Sequence, residues 1–136
     1  RASKFLNRPL AIWGRVIRGS GMGKKLRFPT ANIRDYEGVI VSRGVYLARV
    51  VWGGKDFFGM AYFGRRPSFV TNDKKPSVEV HIFNFRSNIY GEKITVEFLR
   101  KIRPEKEFSN VSGLIIQLKK DYQITKKLVT RFRHLP

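Results

Sequence analysis

GVYLARVVWGGKDFFGMAYF, residues 44 to 63, decides how the rest of the chain is read. Residues 45–52 are mostly apolar, with valine and aromatic side chains among them, residues 56–63 are rich in aromatic and small side chains, and Gly53-Gly54 stands between the two runs. Adjacent glycines take positive φ without steric cost, which a tight hairpin turn demands, so the stretch predicts two antiparallel strands joined at that pair. Outward from the hairpin, residues 10–17, 77–85 and 93–102 show the period-two alternation of half-buried strands. Asn88-Ile89-Tyr90-Gly91 supplies a turn between the last two.

Beyond residue 108 the period changes. Val111, Leu114, Ile115, Leu118, Tyr122, Thr125, Leu128 and Phe132 recur at steps of three and four, which puts them on one face of a helix over about residues 110–132. Ser109 or Asn110 is placed to cap it, and Lys119, Lys120, Lys126, Lys127 and Arg131 fall on the solvated side. Five or six antiparallel strands followed by one helix predict a mainly β fold: a small antiparallel Greek-key barrel, about residues 10–106, capped by that helix. No helices alternate with the strands, which disfavours a parallel sheet. Residues 1–9 read as a linker or lead-in.

The chain has 136 residues, the size of one domain with one core. It has no cysteine, so neither disulfides nor thiolate metal sites support the fold, and the expected compartment is the cytoplasm. No apolar run approaches the roughly 20 residues of a membrane-spanning helix. The charge is the most conspicuous compositional fact: 28 Lys and Arg against 10 Asp and Glu give +18. That excess favours polyanions, from nucleic acid to phosphorylated small molecules, without choosing among them. The cations are scattered and form no block of like charge, which speaks against a disordered nucleic-acid arm.

GSGMGKKLRFPTAN, residues 19 to 32, is the segment best suited to phosphates. It fits neither standard glycine fingerprint: Gly19 and Gly23 enclose three residues rather than four, and Lys24 is followed by Lys25 rather than Ser or Thr. Thr30 and Asn32 follow Pro29, and in an extended segment they point the same way. Both offer neutral oxygens to a hard cation such as Mg²⁺, which takes few protein ligands and completes its shell with water and phosphate oxygens. The competing reading is a flexible glycine turn in which Thr30 and Asn32 satisfy local backbone groups.

Phosphoryl transfer also needs a group to orient and deprotonate the acceptor hydroxyl. Along residues 77–85 the alternation puts Val78, Val80 and Ile82 on one face and Glu79, His81, Phe83 and Phe85 on the other. Glu79 then stands among rings, where a carboxylate's pKa tends to rise toward that of a general base. A surface ion pair is the plainer alternative for Glu79. His81 is expected to be a ring packed beside the sheet, and with only His81 and His134 the chain has no histidine cluster.

Taken together, VIRGSGMGKKLRFPTANI (16–33), GVYLARV (44–50), FGRRPSF (63–69), VEVHIFNF (78–85), IYGEKITVEFLRKIRPEKEF (89–108) and the terminal helix resemble riboflavin kinases. The resemblance implies a six-stranded Greek-key barrel with a C-terminal helix, and transfer of phosphate from ATP to the ribityl 5′-hydroxyl of riboflavin, giving FMN and ADP. It implies that Gly19, Gly21, Gly23 and Lys25 lie along the nucleotide, that Thr30 and Asn32 ligate Mg²⁺, and that Glu79 is the catalytic base. Ile82, Asn84 and Arg103 would lie near the flavin. Arg27 stands where such sequences usually have glycine. Phe5-Leu6-Asn7-Arg8-Pro9 resembles the junction of bacterial bifunctional FAD synthetases, in which an FMN adenylyltransferase domain precedes the kinase. Two other readings stay open: a basic barrel that stacks single-stranded nucleic acid on its aromatics, and a flavin-binding module without catalysis.

Overall fold

The computed structural model describes residues 10–17, 30–38, 41–64, 76–85 and 87–133. Six strands, β1 (Leu10–Ile17), β2 (Ala31–Gly38), β3 (Gly44–Trp52), β4 (Lys55–Gly64), β5 (Ser77–Ile82) and β6 (Lys93–Pro104), precede one helix, α1 (Val111–Arg133). The strands close into an antiparallel barrel in the order β1-β2-β5-β4-β3-β6. Three hairpin-connected strands, β3, β4 and β5, with β6 returning beside β3, make the expected Greek key.

The hairpin forms where the sequence places it. Trp52 pairs with Lys55, and Gly53 and Gly54 take φ of 58° and 76°, the double left-handed turn that matches strand twist. The first half of β3, Gly44 to Ala48, is buried residue after residue instead of alternating. Tyr46 and Ala48 face the barrel interior with Ile12, Val80 and Phe98. Val45 and Leu47 face outward, where Leu128 and Val129 of α1 cover them together with Met60 and Leu99. A strand covered on both faces reads as an apolar run.

The strand that alternation leaves unassigned is β2. Trp13 pairs with Glu37 and Arg15 with Arg34, so Gly14 alone opposes both Asp35 and Tyr36, a bulge that the register records between Trp13 and Arg15. Asp35 takes up the extra residue at φ 52°. Ile33 and Tyr36, three positions apart, therefore both turn inward and are buried. Gly14 permits this close approach: a Cβ there would lie 2.7 Å from Ile33 Cγ2 and 2.9 Å from the Arg34 carbonyl oxygen. Gly14→Ala is accordingly expected to cost about 1–3 kcal/mol by overpacking, measured by denaturant unfolding.

β5 ends at Ile82, three residues before the expected end of that strand. Phe83 and Asn84 turn the chain, Asn84 at φ 55°. The turn separates the predicted face: Phe83 joins the outer cluster beneath α1, whereas Phe85 packs on the inner core, its ring 4.9 Å from Phe57 and 5.6 Å from Trp52. β6 runs longer than expected and carries Arg103 into the sheet. At the start of α1, the Asn110 carboxamide oxygen accepts from the Gly113 amide at 2.8 Å, the cap geometry that satisfies a free first-turn donor.

Candidate active site

Strand pairing assembles the candidate residues from distant parts of the sequence. Ile17 pairs with Asn32, Asn32 with Glu79, Glu79 with Tyr62, Tyr62 with Val45, and Val45 with Arg103. Directly paired residues share a face, so one row around the outer wall of the barrel contains Asn32, Glu79 and Arg103. Asn32 and Glu79 are immediate neighbours. Arg103 lies three strands beyond Glu79, about 14 Å along the wall at the usual strand spacing.

Glu79 is 5% exposed although it points away from the barrel interior. Burying a carboxylate is costly unless it is paired or hydrogen-bonded, and that cost suits a group with work to do. On one side it has the half-buried Asn32, and on the other Tyr62, whose hydroxyl donates to Glu105 Oε1 at 2.9 Å. His81, two residues on, packs as expected: its ring centroid is 5.6 Å from Phe83 and 5.7 Å from Tyr122 of α1. The helix thus flanks the outer face of β5 next to the carboxylate.

At the end of the barrel where β2 begins and β5 stops, a cavity of about 280 Å³ opens. Thr30, His81, Ile82 and Phe85 line it, together with Asn88, Ile89 and Tyr90 of the turn before β6. Thr30 precedes Asn32 by two positions and Val80 follows Glu79, so the cavity lies beside the Asn32–Glu79 pair along both strands, although neither residue of the pair lines it. Ile82 lines the cavity, while Asn84, exposed on its turn, does not. Gly19, Gly21, Gly23, Lys25 and Arg27 lie outside the described residues.

Arg103, which the resemblance implies to lie near the flavin, is paired with the helix. Its Nε donates to both Asp121 carboxylate oxygens at 2.9 Å, and its Nη2 lies 2.9 Å from Asp121 Oδ2. Asp121 also accepts from Gln117 Nε2 at 2.9 Å. The two charged side chains are 15% and 1% exposed, so this fork ties α1 to β6 in a largely dry place. Sequence reasoning missed Asp121 because its place in the helical pattern had no apolar residue to mark it as inward-facing. It also missed the cavity wall at residues 88–90, which it read only as a turn.

A family model for flavokinase, described as riboflavin kinase, matches residues 6–129. The chain belongs to the riboflavin kinase family. The bifunctional riboflavin kinase/FMN adenylyltransferase of Buchnera aphidicola subsp. Schizaphis graminum is 42% identical over 93% of this chain and 41% of that protein. The chain spans about two fifths of the length of the curated relatives it matches. Riboflavin kinase from Trypanosoma brucei shares the fold at a TM-score of 0.57 and 22% identity, over 90% of this chain and 81% of that one. A crystal structure described as a macrolide-efflux protein from Streptococcus pneumoniae aligns at a TM-score of 0.73 and 32% identity, over 87% of this chain and 38% of that longer one. Efflux is said of that protein. No helix among the described residues of this riboflavin kinase family member is long and apolar enough to cross a membrane.

Proposed function

We propose that the domain transfers the γ-phosphoryl group of ATP to the ribityl 5′-hydroxyl of riboflavin, giving FMN and ADP, with Glu79 as the base. The observation that carries the residue assignment is the direct pairing of Asn32 with a buried Glu79, next to the cavity that Thr30 lines. The ribityl oxygen attacks the γ-phosphorus as the bond to the β-phosphate oxygen breaks. Its proton passes to the Glu79 carboxylate. Ile82 would meet the flavin from the cavity wall and Asn84 from the adjoining turn, while Gly19, Gly21, Gly23 and Lys25 would hold the nucleotide phosphates.

Among the described residues no three His, Asp or Glu side chains gather as a metal cage. A cation at this site would rest on the Thr30 hydroxyl and the Asn32 carboxamide oxygen, a sparse hard-oxygen set of the kind Mg²⁺ accepts when phosphate oxygens complete its shell. When bound, Mg²⁺ would neutralise charge on the β- and γ-phosphates. Thr30→Ala and Asn32→Ala are each expected to raise the KM for Mg-ATP about tenfold, or ~1.4 kcal/mol, with the KM for riboflavin little changed. Steady-state kinetics over a magnesium titration checks this, and an unchanged magnesium requirement would overturn the ligand assignment.

The test of the activity itself is to incubate the chain with riboflavin and Mg-ATP and separate the flavins by chromatography. FMN formed only with both ATP and metal is the expected result. Riboflavin binding without product would favour a flavin-binding module. Because the relatives are named for two activities and this chain matches about two fifths of their length, its FMN would pass to an adenylyltransferase domain in a longer cytoplasmic protein.

A further inference from the structure

Two positions along the wall from the Asn32 row, the outer face changes character. Arg15 of β1 pairs directly with Arg34 of β2 on one side and with Lys93 of β6 on the other. Three exposed cations therefore stand side by side on adjacent strands, about 5 Å apart at the backbone. Like charges directly opposite one another destabilise a sheet, and among the described residues none of the three forms an ion pair. Asp35 and Glu92 are sequence neighbours of the row, yet among the described residues the side-chain hydrogen bond made by these three cations runs from Arg15 Nη1 to the Gly91 carbonyl oxygen at 2.8 Å. That bond neutralises nothing.

The next row along β1 holds Trp13, between Glu37 and Thr95 and 47% exposed. On the other side of the cations, beyond Gly91, Tyr90 is 51% exposed at the cavity rim. A cationic row bracketed by exposed rings is the arrangement that tracks a phosphate backbone and stacks bases. A protein's acidic face would answer the charge but would leave the rings unexplained.

We propose that the β6-β1-β2 face is a binding strip for single-stranded nucleic acid, with Arg15, Arg34 and Lys93 on consecutive phosphates and Trp13 stacking a base. The strip adjoins the Asn32–Glu79 site, with Arg34 two positions from Asn32 and Tyr90 at the cavity rim, but does not depend on flavin chemistry. It also gives part of the +18 charge a use that a nucleotide site does not require.

Fluorescence anisotropy with a labelled oligouridylate of about 12 nucleotides, titrated over a range of salt, tests the strip. The variant Arg15→Ser/Arg34→Ser/Lys93→Ser is expected to bind at least about tenfold more weakly at low salt, and its slope of log affinity against log salt should flatten by about 2. Trp13→Ala, which removes no charge, is expected to weaken binding about fivefold or more and to abolish the part of the tryptophan quenching that the oligonucleotide causes. A control, Lys119→Ser/Lys120→Ser/Lys127→Ser, removes as many exposed cations from α1 and should bind almost as the unmodified chain does. Equal losses in the control and the strip variant would overturn the proposal in favour of diffuse charge attraction. Poly-glutamate competing as well as RNA of the same charge would overturn it in favour of an acidic protein partner. Unchanged binding in both the strip variant and Trp13→Ala would also reject it.

Discussion

Replacing Glu79 with glutamine should lower kcat for FMN formation by about 10²–10⁴-fold and leave the KM values for riboflavin and Mg-ATP within a few-fold. The amide has the volume of the carboxylate and can keep hydrogen bonds, so the barrel wall between Asn32 and Tyr62 should persist. What it cannot do is accept the ribityl proton. If Glu79 instead serves only to satisfy its neighbours on the wall, the substitution should shift the unfolding midpoint and spare turnover. Unfolding and steady-state kinetics on the same preparation separate the two roles, and near-wild-type kcat would sink the base assignment.

The second large effect belongs to the fork between Arg103 and Asp121. Asp121→Ala should destabilise the domain by about 3–5 kcal/mol, because it leaves the guanidinium largely buried without its counter-charge. Replacing both partners by apolar residues, Arg103→Met with Asp121→Leu, should recover most of that loss, since a buried pair is worth much less than the penalty of breaking it. A double-mutant cycle in urea measures the coupling. The same double variant bears on the flavin. If Arg103 holds α1 in place and does no more, stability and FMN formation should return together. Restored stability with turnover still lost would give Arg103 the flavin contact that the sequence resemblance implies.

Much of this architecture was legible in the sequence wherever one physical signal dominated. Gly53-Gly54 between apolar runs announces the hairpin, and the three-and-four spacing after residue 110 announces α1, because both patterns follow from backbone geometry alone. β2 was not legible, because its extra residue at Asp35 moves Ile33 and Tyr36 out of period two, and only the paired strand reveals why. The end of β5 was misjudged for a similar reason: the alternation of rings runs on through Phe85 while the backbone turns at Phe83 and Asn84. The phosphate and metal candidates stood out through the glycines, lysines and PTAN residues of 19 to 32 and their resemblance to a family segment. The placement of Asn32 beside Glu79, by contrast, rests on strand register, which local sequence does not encode. Asp121 was invisible because a charged residue in a helical pattern is ordinarily assigned to solvent, and only its partner on β6 makes burial tolerable.

The seam between β1 and β6 has a kinetic consequence. Leu10 pairs with Phe98 and Ile12 with Val96, so the first and last strands of the barrel must meet before either buries its inner face. A ribosome delivers β1 long before β6 exists. Until then the β3–β4 hairpin can form from local contacts, while Ile12 and Val16 wait exposed for a partner. Closure is therefore expected to come late in folding, and a nascent chain stalled before residue 93 would be an open sheet with two sticky edges. Substitutions at the seam should act first on yield in the cell, through aggregation of that open form, and only secondarily on the properties of molecules that have closed.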